Sequence, residues 1–189
     1  ITLDQTAASS YLLSDGSTAW DATIGWVYNK DIAGIWSDIT TTLYQPKSQS
    51  VNNTNDITVE DMSLPLIDKR TLVWWNNAWS ISTTNSIPNS QYVQLERVWF
   101  FEENNGDTGN IKISYPVSAF PSGFSQPILI VSPSPTFNGT TMTSIAGSLV
   151  GSNWEFSLNV SDASYITFGR LADTVPPSIT SNSLASGSL

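Results

Sequence analysis

Residues 154–161 alternate strictly between apolar and polar side chains, with Trp154, Phe156, Leu158 and Val160 as the apolar members. Successive side chains of a β-strand point to opposite faces of a sheet, so this alternation predicts a strand with one buried face and one face in water. Helical periodicity, by contrast, is nearly absent from the chain. The sequence therefore predicts a protein built from β-strands.

Other segments are rich in β-branched or aromatic residues and are bounded by Gly, Pro, Asn or Ser, which is typical of short strands. These segments are residues 50–59, 71–75, 92–101, 110–115, 127–132 and 165–170. Between them lie dipeptides whose residues tolerate positive φ in turns, namely Asp15-Gly16, Asn105-Gly106, Ser122-Gly123 and Asn138-Gly139. Short strands separated by such turns predict an all-β fold, an antiparallel β-sandwich of jelly-roll-like type.

The last part of the chain differs in character from the rest. It contains Pro176-Pro177, and because two prolines cannot join a hydrogen-bonded ladder, residues 173–178 are predicted to be an extended linker after a sandwich domain of residues 1–172. Residues 179–189 are too few for a domain. We expect them to be the first strand of a following module, or a strand that docks on a sheet edge of another copy through Ile179, Leu184 and Leu189.

Composition excludes several classes of function. The 189 residues include no His and no Cys, so an imidazole base, a thiolate nucleophile and a Cys/His zinc site are excluded. The net charge is −9, which disfavours binding to nucleic acid or to anionic lipid. No stretch approaches the roughly 20 apolar residues of a membrane helix, so membrane insertion is not expected. Ser and Thr together number 49, which favours an extracellular or cell-surface location.

The first 25 residues lack the basic start and the apolar run of a signal peptide. If the protein is exported, we expect this chain to be a mature or excised piece.

An ordered series of short blocks runs through about the first 170 residues. The blocks are Ile1-Thr2-Leu3-Asp4-Gln5-Thr6-Ala7, Tyr11-Leu12, Asp15-Gly16, Trp20-Asp21-Ala22-Thr23, Tyr28-Asn29, Asp31-Ile32-Ala33-Gly34-Ile35, Gln45, Lys47-Ser48, Ser50-Val51-Asn52, Leu72-Val73-Trp74, Asn76-Asn77, Arg97-Val98-Trp99, Glu102, Gly109, Lys112, Pro121-Ser122-Gly123, Leu129, Val131-Ser132, Asp162 and Tyr165-Ile166-Thr167-Phe168. Together they resemble an uncharacterised domain of large, modular bacterial surface proteins. In that family the opening block follows a concanavalin/laminin-G-like lectin domain, and a Pro-Pro linker leads to immunoglobulin-like repeats.

This resemblance implies a segment of a multidomain, adhesin-like surface protein, and it implies no known activity. Residues 179–189 are similar to the start of one of those immunoglobulin-like repeats. Two positions depart from the family pattern, because Trp36 and Trp75 stand where the family has Gly. Either indole rings fill locally rebuilt turns, or a UGA codon that some bacteria read as Gly has been translated as Trp.

The densest group of acidic and amide side chains lies at residues 102–110. Carboxylate and amide oxygens around a Gly turn suit Ca²⁺, which takes six to eight oxygen ligands, and the candidate ligands are Glu102, Asn104, Asp107 and Asn110. The spacing does not fit an EF-hand. A hairpin loop between the segments 92–101 and 110–115 favours the same residues for turn formation alone, so both interpretations stay open.

Four of the eight tryptophans are candidates for a sugar-binding or partner-binding face, namely Trp74, Trp75, Trp79 and Trp99. Adjacent Trp74 and Trp75 must point to opposite faces of a sheet if both lie on a strand. The run Trp99-Phe100-Phe101 also cannot face one core. Either both sheet faces are covered there, or an aromatic patch awaits a partner; core filling is the expected role of most of the tryptophans.

Two kinds of covalent chemistry are alternatives to these binding roles. The few glutamates (Glu60, Glu96, Glu102, Glu103 and Glu155) include candidates for a glycosidase pair, but strand alternation already explains several of them as outward-facing. Lys47, Lys69 or Lys112 is a candidate for an isopeptide bond to an Asn beside a buried acid, although no spacing selects such a trio.

The sequence therefore favours a non-catalytic structural or adhesion module of an extracellular bacterial protein, without a cofactor. Its expected partners are neighbouring domains or copies of itself, assembled through terminal strands into a filament. The alternative is a carbohydrate-binding module, calcium-assisted, with glycans as partners. An enzyme is not expected, because one would have to act through carboxylates alone.

Overall fold

A computed structural model describes residues 10–21, 23, 28–53, 56–63, 67–82, 84–160 and 164–173. They form an all-β protein with two single-turn 3-10 helices, at Ile39–Thr41 and Val117–Ala119, and no α-helix within the described ranges. The strands are β1 (Tyr11–Leu12), β2 (Thr18–Trp20), β3 (Lys30–Asp38), β4 (Leu43–Gln45), β5 (Lys47–Gln49), β6 (Thr58–Asp61), β7 (Thr71–Asn76), β8 (Thr84–Ser86), β9 (Tyr92–Leu95), β10 (Trp99–Asn104), β11 (Asn110–Pro116), β12 (Ile128–Ser132), β13 (Thr143–Ala146), β14 (Ser148–Val150), β15 (Asn153–Asn159) and β16 (Ser164–Leu171). In this described part of the chain, no helix is long and apolar enough to span a membrane.

Two antiparallel sheets make up the body of the fold. The larger sheet has nine strands, with the order β13-β12-β16-β10-β7-β3-β4, and the β8-β9 pair joins it through β16. The smaller sheet has five strands, in the order β14-β15-β11-β6-β5. A separate two-stranded hairpin is formed by β1 and β2. The predicted antiparallel β-sandwich class is confirmed.

The inner core lies between the two sheets, since both contribute its buried side chains. Phe156 and Leu158 of β15 face this core, while the alternate residues Ser157 and Asn159 are exposed. The alternation seen in the sequence is thus realised as one dry and one wet face. From the larger sheet, Trp74 stacks on Phe101 with ring centroids 5.9 Å apart. These two residues are direct cross-strand partners, which is the register that an aromatic pair stabilises.

The outer face of the larger sheet is also covered, in this case by the chain's own N-terminal segment and loops. Trp20 of β2 meets Trp75 edge-on at 6.0 Å, and Tyr28 approaches Phe100 at 6.4 Å. Trp75 and Phe100 belong to this outer cluster, whereas their neighbour Trp74 belongs to the inner core. The prediction that Trp74 and Trp75 face opposite sides of the sheet is therefore confirmed. For residues 99–101, the interpretation that both sheet faces are covered is the correct one.

Most predicted strands occur, and the exceptions have a physical cause. The segment predicted at 92–101 is two strands, β9 and β10, with Glu96, Arg97 and Val98 between them. Of the segment predicted at 50–59, only the last two residues lie in a strand. The longest strand, β3, was not predicted, because eight of its nine residues are buried and a strand covered on both faces shows no alternation.

The hairpin predicted between residues 92–101 and 110–115 is wrong. β10 pairs with β7 and β16 in the larger sheet, whereas β11 pairs with β15 and β6 in the smaller one. Residues 105–109 therefore carry the chain from one sheet to the other. Turn chemistry alone does not distinguish such a crossover from a hairpin, since both require residues with positive φ, here Asn105, Gly106 and Gly109.

Trp36 and Trp75 do not lie in rebuilt turns, which corrects that expectation. Trp36 is on β3 and Trp75 is on β7, and both pack in the outer cluster. Residues 174–189 lie outside the described residues, and with them most of the predicted linker and the docking strand of Ile179, Leu184 and Leu189.

Candidate functional site

A cleft of about 450 Å³ opens at one end of the sandwich. It is lined by residues of β9, β12 and β16 from the larger sheet and by Trp154 of β15 from the smaller one. Its volume falls in the range of about 300–1,000 Å³ that is typical of small-molecule sites. The polar residues of its lining include Gln91, Gln126 and Ser125. The cleft therefore combines apolar walls with a few hydrogen-bonding groups.

Gly147 builds one wall of this cleft. It is the single residue between β13 of the larger sheet and β14 of the smaller sheet, so the chain changes sheets at this point. A Cβ placed on Gly147 would lie 2.5 Å from Phe156 Cε1 and 3.1 Å from Trp154 Cε3. Only a residue without a side chain allows the crossing to lie this close to the two rings, and this crossing places Trp154 at the cleft.

Arg170 brings a positive charge to the cleft. Its Nη1 donates a hydrogen bond to the Leu171 carbonyl oxygen (2.9 Å), and its guanidinium carbon lies 5.7 Å from the centroid of the Phe124 ring. Phe124 is itself fixed in the inner core, where it stacks on Phe120 at 5.5 Å. A guanidinium over an aromatic ring is held by the ring's negative face. The position of the Arg170 charge is thus set by packing.

Three of the four predicted binding tryptophans have no surface to offer a ligand. Trp74, Trp75 and Trp99 are fully buried, and Trp79 alone of the four is exposed, at 57%. The burial of the first three follows from a sheet that is covered on both faces. Trp79 does not line the cleft. Trp154 does line the cleft, although the sequence pattern indicates it only as a core residue of an alternating strand.

The predicted calcium loop is held by its own hydrogen bonds. Asp107 Oδ1 accepts from the Gly109 backbone N–H (2.6 Å) and Asp107 Oδ2 accepts from Asn159 Nδ2 (3.2 Å). The neighbouring Glu103 carboxylate accepts from the Thr108 backbone N–H (2.7 Å) and from the Thr108 hydroxyl. Accordingly, the pKa of Asp107 is lowered, first by the Gly109 N–H. These bonds explain the acidic residues as crossover-forming groups.

Asn104 Nδ2 donates a hydrogen bond to the Ala19 carbonyl oxygen (3.2 Å). Within the described ranges, no group of three or more acidic side chains is arranged to hold a metal ion. Calcium binding by Glu102, Asn104, Asp107 and Asn110 stays a prediction that the geometry does not require.

The indole N–H of Trp99 joins a buried acidic network that the sequence does not indicate. The Trp99 indole N–H donates to Asp56 Oδ1 (2.7 Å), which also accepts from the Ile57 backbone N–H (2.8 Å). Asn76 Nδ2 donates to Asp56 Oδ2 (3.2 Å) and to Asp31 Oδ2 (2.9 Å), so one amide joins the two carboxylates. Asp56 is fully buried, and this desolvation raises its pKa to about 7. Because both acids are buried, we interpret the network as structural.

The remaining candidates for chemistry are engaged at the surface. Lys112 forms ion pairs with Glu60 (3.2 Å) and Glu155 (3.6 Å) across the outer face of the smaller sheet, and Lys47 also pairs with Glu60 (3.2 Å). The ion pairs and hydrogen bonds that these two lysines and Lys69 form within the described residues involve acids and hydroxyls, not an Asn side chain. An isopeptide bond therefore has no prepared partner there.

A family model described as a domain of unknown function (DUF8202) matches residues 1–165. No curated protein and no solved structure matches the chain.

Proposed function

The chain belongs to the DUF8202 family, and since the description of that family leaves its function open, we propose one from the geometry: a non-catalytic adhesion module of an extracellular protein that binds a glycan in its end cleft. The single observation that carries this proposal is the cleft of about 450 Å³, whose lining includes Trp154, Gln91 and Gln126. The proposal thus joins the adhesive role expected from the sequence to the carbohydrate-binding alternative.

The chemistry of the lining supports a sugar as the occupant. A sugar ring has C–H faces that pack on aromatic rings and a rim of hydroxyls that need hydrogen-bonding partners. Trp154 and Tyr92 supply aromatic surface, and the amides of Gln91 and Gln126 each offer both donors and an acceptor. Polar groups placed beside apolar surface are the usual means by which a site fixes the orientation of a small ligand.

The charge and surface of the protein agree with an extracellular role. A net charge of −9 disfavours nucleic acid and anionic membranes, and the abundant Ser and Thr provide a neutral hydroxylated surface. The proposed mechanism is interfacial: the rigid sandwich presents the cleft, and the rest of a longer protein connects it to the cell surface.

The first test is glycan binding by the native chain and by variants of the cleft. We expect a glycan array to identify a ligand and Trp154→Ala to weaken its binding tenfold or more, since buried aromatic contacts contribute about 2 kcal/mol or more at binding hot spots. Because Trp154 also packs on the core, Ser125→Trp is a second variant. Ser125 is exposed, so this substitution blocks the cleft without removing a core side chain.

Trp79→Ala is the matched control, because Trp79 is exposed outside the cleft, and we expect it to bind like the native chain. Binding would be followed by isothermal titration calorimetry with the array hits. A chain that binds no glycan, or one whose binding is unchanged by both Trp154→Ala and Ser125→Trp, contradicts the proposal.

Self-assembly through strand addition is a second candidate, favoured by the exposed edge of the smaller sheet. Among the described strands, the edge strand β14 pairs only with β15, and its Leu149 and Val150 are 58% and 52% exposed. An apolar edge strand with unpaired backbone groups is a template for another strand. In this candidate, residues 179–189 of one copy, with Ile179, Leu184 and Leu189, add to the edge of the next.

Deletion of residues 174–189 tests this assembly. We expect the full chain to form concentration-dependent oligomers in analytical ultracentrifugation and the deleted chain to be monomeric with an unchanged circular dichroism spectrum. A full chain that is monomeric at high concentration, or oligomers that persist after the deletion, contradicts strand addition and leaves glycan binding unaffected.

A further inference from the structure

We infer that the ligand of the end cleft is an anionic saccharide, one that carries a carboxylate or a sulfate group, and that Arg170 binds this group. The inference rests on the proposed function, because it specifies the ligand class of the same cleft. It depends on three features of Arg170: its position in the cleft, its lack of an acidic partner and the state of its hydrogen-bond donors.

Arg170 is the one Lys, Arg, Asp or Glu among the described residues that line the cleft. The whole chain has 16 acidic residues against seven basic ones, yet none of the acids lies in this lining. The nearest acid in sequence on the Trp154 strand, Glu155, pairs instead with Lys112 on the outer face of the smaller sheet (3.6 Å). A protein with this excess of acids thus has a cleft whose local charge is positive.

The three lysines that form ion pairs in the described residues each have an acidic partner, whereas Arg170, like Lys30, Arg70 and Arg97, forms no ion pair there. Lys47 and Lys112 pair with Glu60, and Lys69 pairs with Asp38 at 2.5 Å. The described residues provide no ion pair for Arg170, whose polar and aromatic contacts are a hydrogen bond to the Leu171 carbonyl oxygen and the Phe124 ring. Its charge is therefore compensated by a backbone dipole and an aromatic ring alone, and it can still pair with an anionic group.

The donors of the guanidinium are also largely unused. An Arg side chain has five N–H donors, and within the described residues Arg170 uses one of them, on Nη1. Its Nε is buried and has no hydrogen-bond partner in the described part of the chain. Buried donors without partners are costly, and a guanidinium matches the paired oxygens of a carboxylate or sulfate group better than single hydroxyls.

The Phe124 ring makes this arrangement suitable for recognition. It holds the guanidinium from one side, so that less side-chain freedom is lost when a ligand binds. Trp154 lines the same cleft, so that a ring on the indole and an anionic group at Arg170 belong to one ligand. Neutral sugars would contact the Trp154 side of the cleft and leave the Arg170 charge unpaired.

The test compares saccharides that differ only in their anionic group. We would titrate the native full chain with galacturonate oligosaccharides, with sulfated galactose oligosaccharides and with the neutral galactose oligosaccharides of the same linkage. We expect at least one anionic series to bind tenfold or more tightly than the neutral series. Arg170→Gln should abolish this preference, and Arg170→Lys should retain part of it because the charge remains without the planar fork.

Lys47→Gln is the charge-matched control, since it removes one positive charge from the outer face of the smaller sheet, outside the cleft. The Lys47→Gln variant should retain the full preference for the anionic saccharides. Equal binding of anionic and neutral series by the native chain overturns the inference and leaves the proposed function standing. Binding of none of these sugars or any array glycan overturns both. If both Arg170→Gln and Arg170→Lys lose binding to all three saccharide series, the inference is also overturned, because Arg170 then supports only the shape of the cleft.

Discussion

The domain is expected to lose about 4 kcal/mol of unfolding free energy from one carboxyl group, Asp56, as the pH rises from about 4 to about 7. Asp56 is fully buried, and burial is the main reason that its pKa rises from 3.8 to about 7. The charge of Asp31 acts in the same direction, while hydrogen bonds from Ile57 and Trp99 and the charge of Arg97 oppose it.

The sign follows from proton binding. Between pH 3.8 and about 7 the folded protein holds the Asp56 proton and the unfolded chain has released it, so the folded state binds more protons. Stability then falls as the pH rises through this interval and is level above it. Other acids act in the opposite sense at lower pH. A hydrogen bond from Lys69 lowers the pKa of Asp38, and a hydrogen bond from Lys112 lowers the pKa of Glu60. Because these acids are charged more readily in the folded state, the unfolding free energy should fall on acidification below about pH 4. The unfolding free energy is therefore expected to be highest near pH 4 to 5.

Urea unfolding at half-unit steps from pH 3.5 to 8.5 measures this profile. In Asp56→Asn the fall between pH 4 and 7 should disappear, because the amide retains an oxygen for the Trp99 indole but does not ionise. Asp107→Asn is the matched control: the pKa of Asp107 is already low, so its removal should leave the fall intact. A native profile that is flat or rising between pH 5 and 7 contradicts the expectation.

The sequence pattern predicts a strand when one face of its sheet is exposed to water, and it does not predict a strand when both faces are buried. β15 was predicted nearly to its ends because Ser157 and Asn159 remain in water between buried neighbours. β3 carries Ile, Ala, Gly, Ile and Trp in succession, all buried, and a continuous apolar run has no period to detect. The covering of the outer face by Trp20 and Tyr28 is a long-range contact, which no local pattern contains.

The candidate site was not predictable for the same reason. Gln91, Trp154 and Arg170 are far apart in the sequence, and the cleft that they line depends on the crossing at Gly147 between the two sheets. Asp56 follows a stretch of Asn and Thr that is typical of a loop, and its burial depends on Trp99. The sequence did establish which residue types were absent, and thereby the classes of catalysis to exclude, without any knowledge of the fold.

Trp20→Ala is expected to reduce the unfolding free energy by about 3–5 kcal/mol, the usual cost of removing a large buried aromatic side chain. Trp20 is 4% exposed and covers the outer face of the larger sheet, with Trp75 at 6.0 Å and Tyr11 at 5.2 Å. Its indole N–H has no hydrogen-bond partner among the described residues. The expected loss therefore comes from packing and apolar burial rather than from a broken hydrogen bond.

The variant should also reveal what the N-terminal hairpin covers. Without the Trp20 ring, the outer cluster of Trp75, Phe100 and Tyr165 is opened to water, and we expect increased binding of the dye ANS together with concentration-dependent association. Trp79→Ala is the matched control, because Trp79 is 57% exposed and its removal should change stability by less than about 0.5 kcal/mol. If the two variants unfold at the same urea concentration and bind ANS equally, the hairpin does not cover this face in solution, and an external partner would have to cover the aromatic cluster instead.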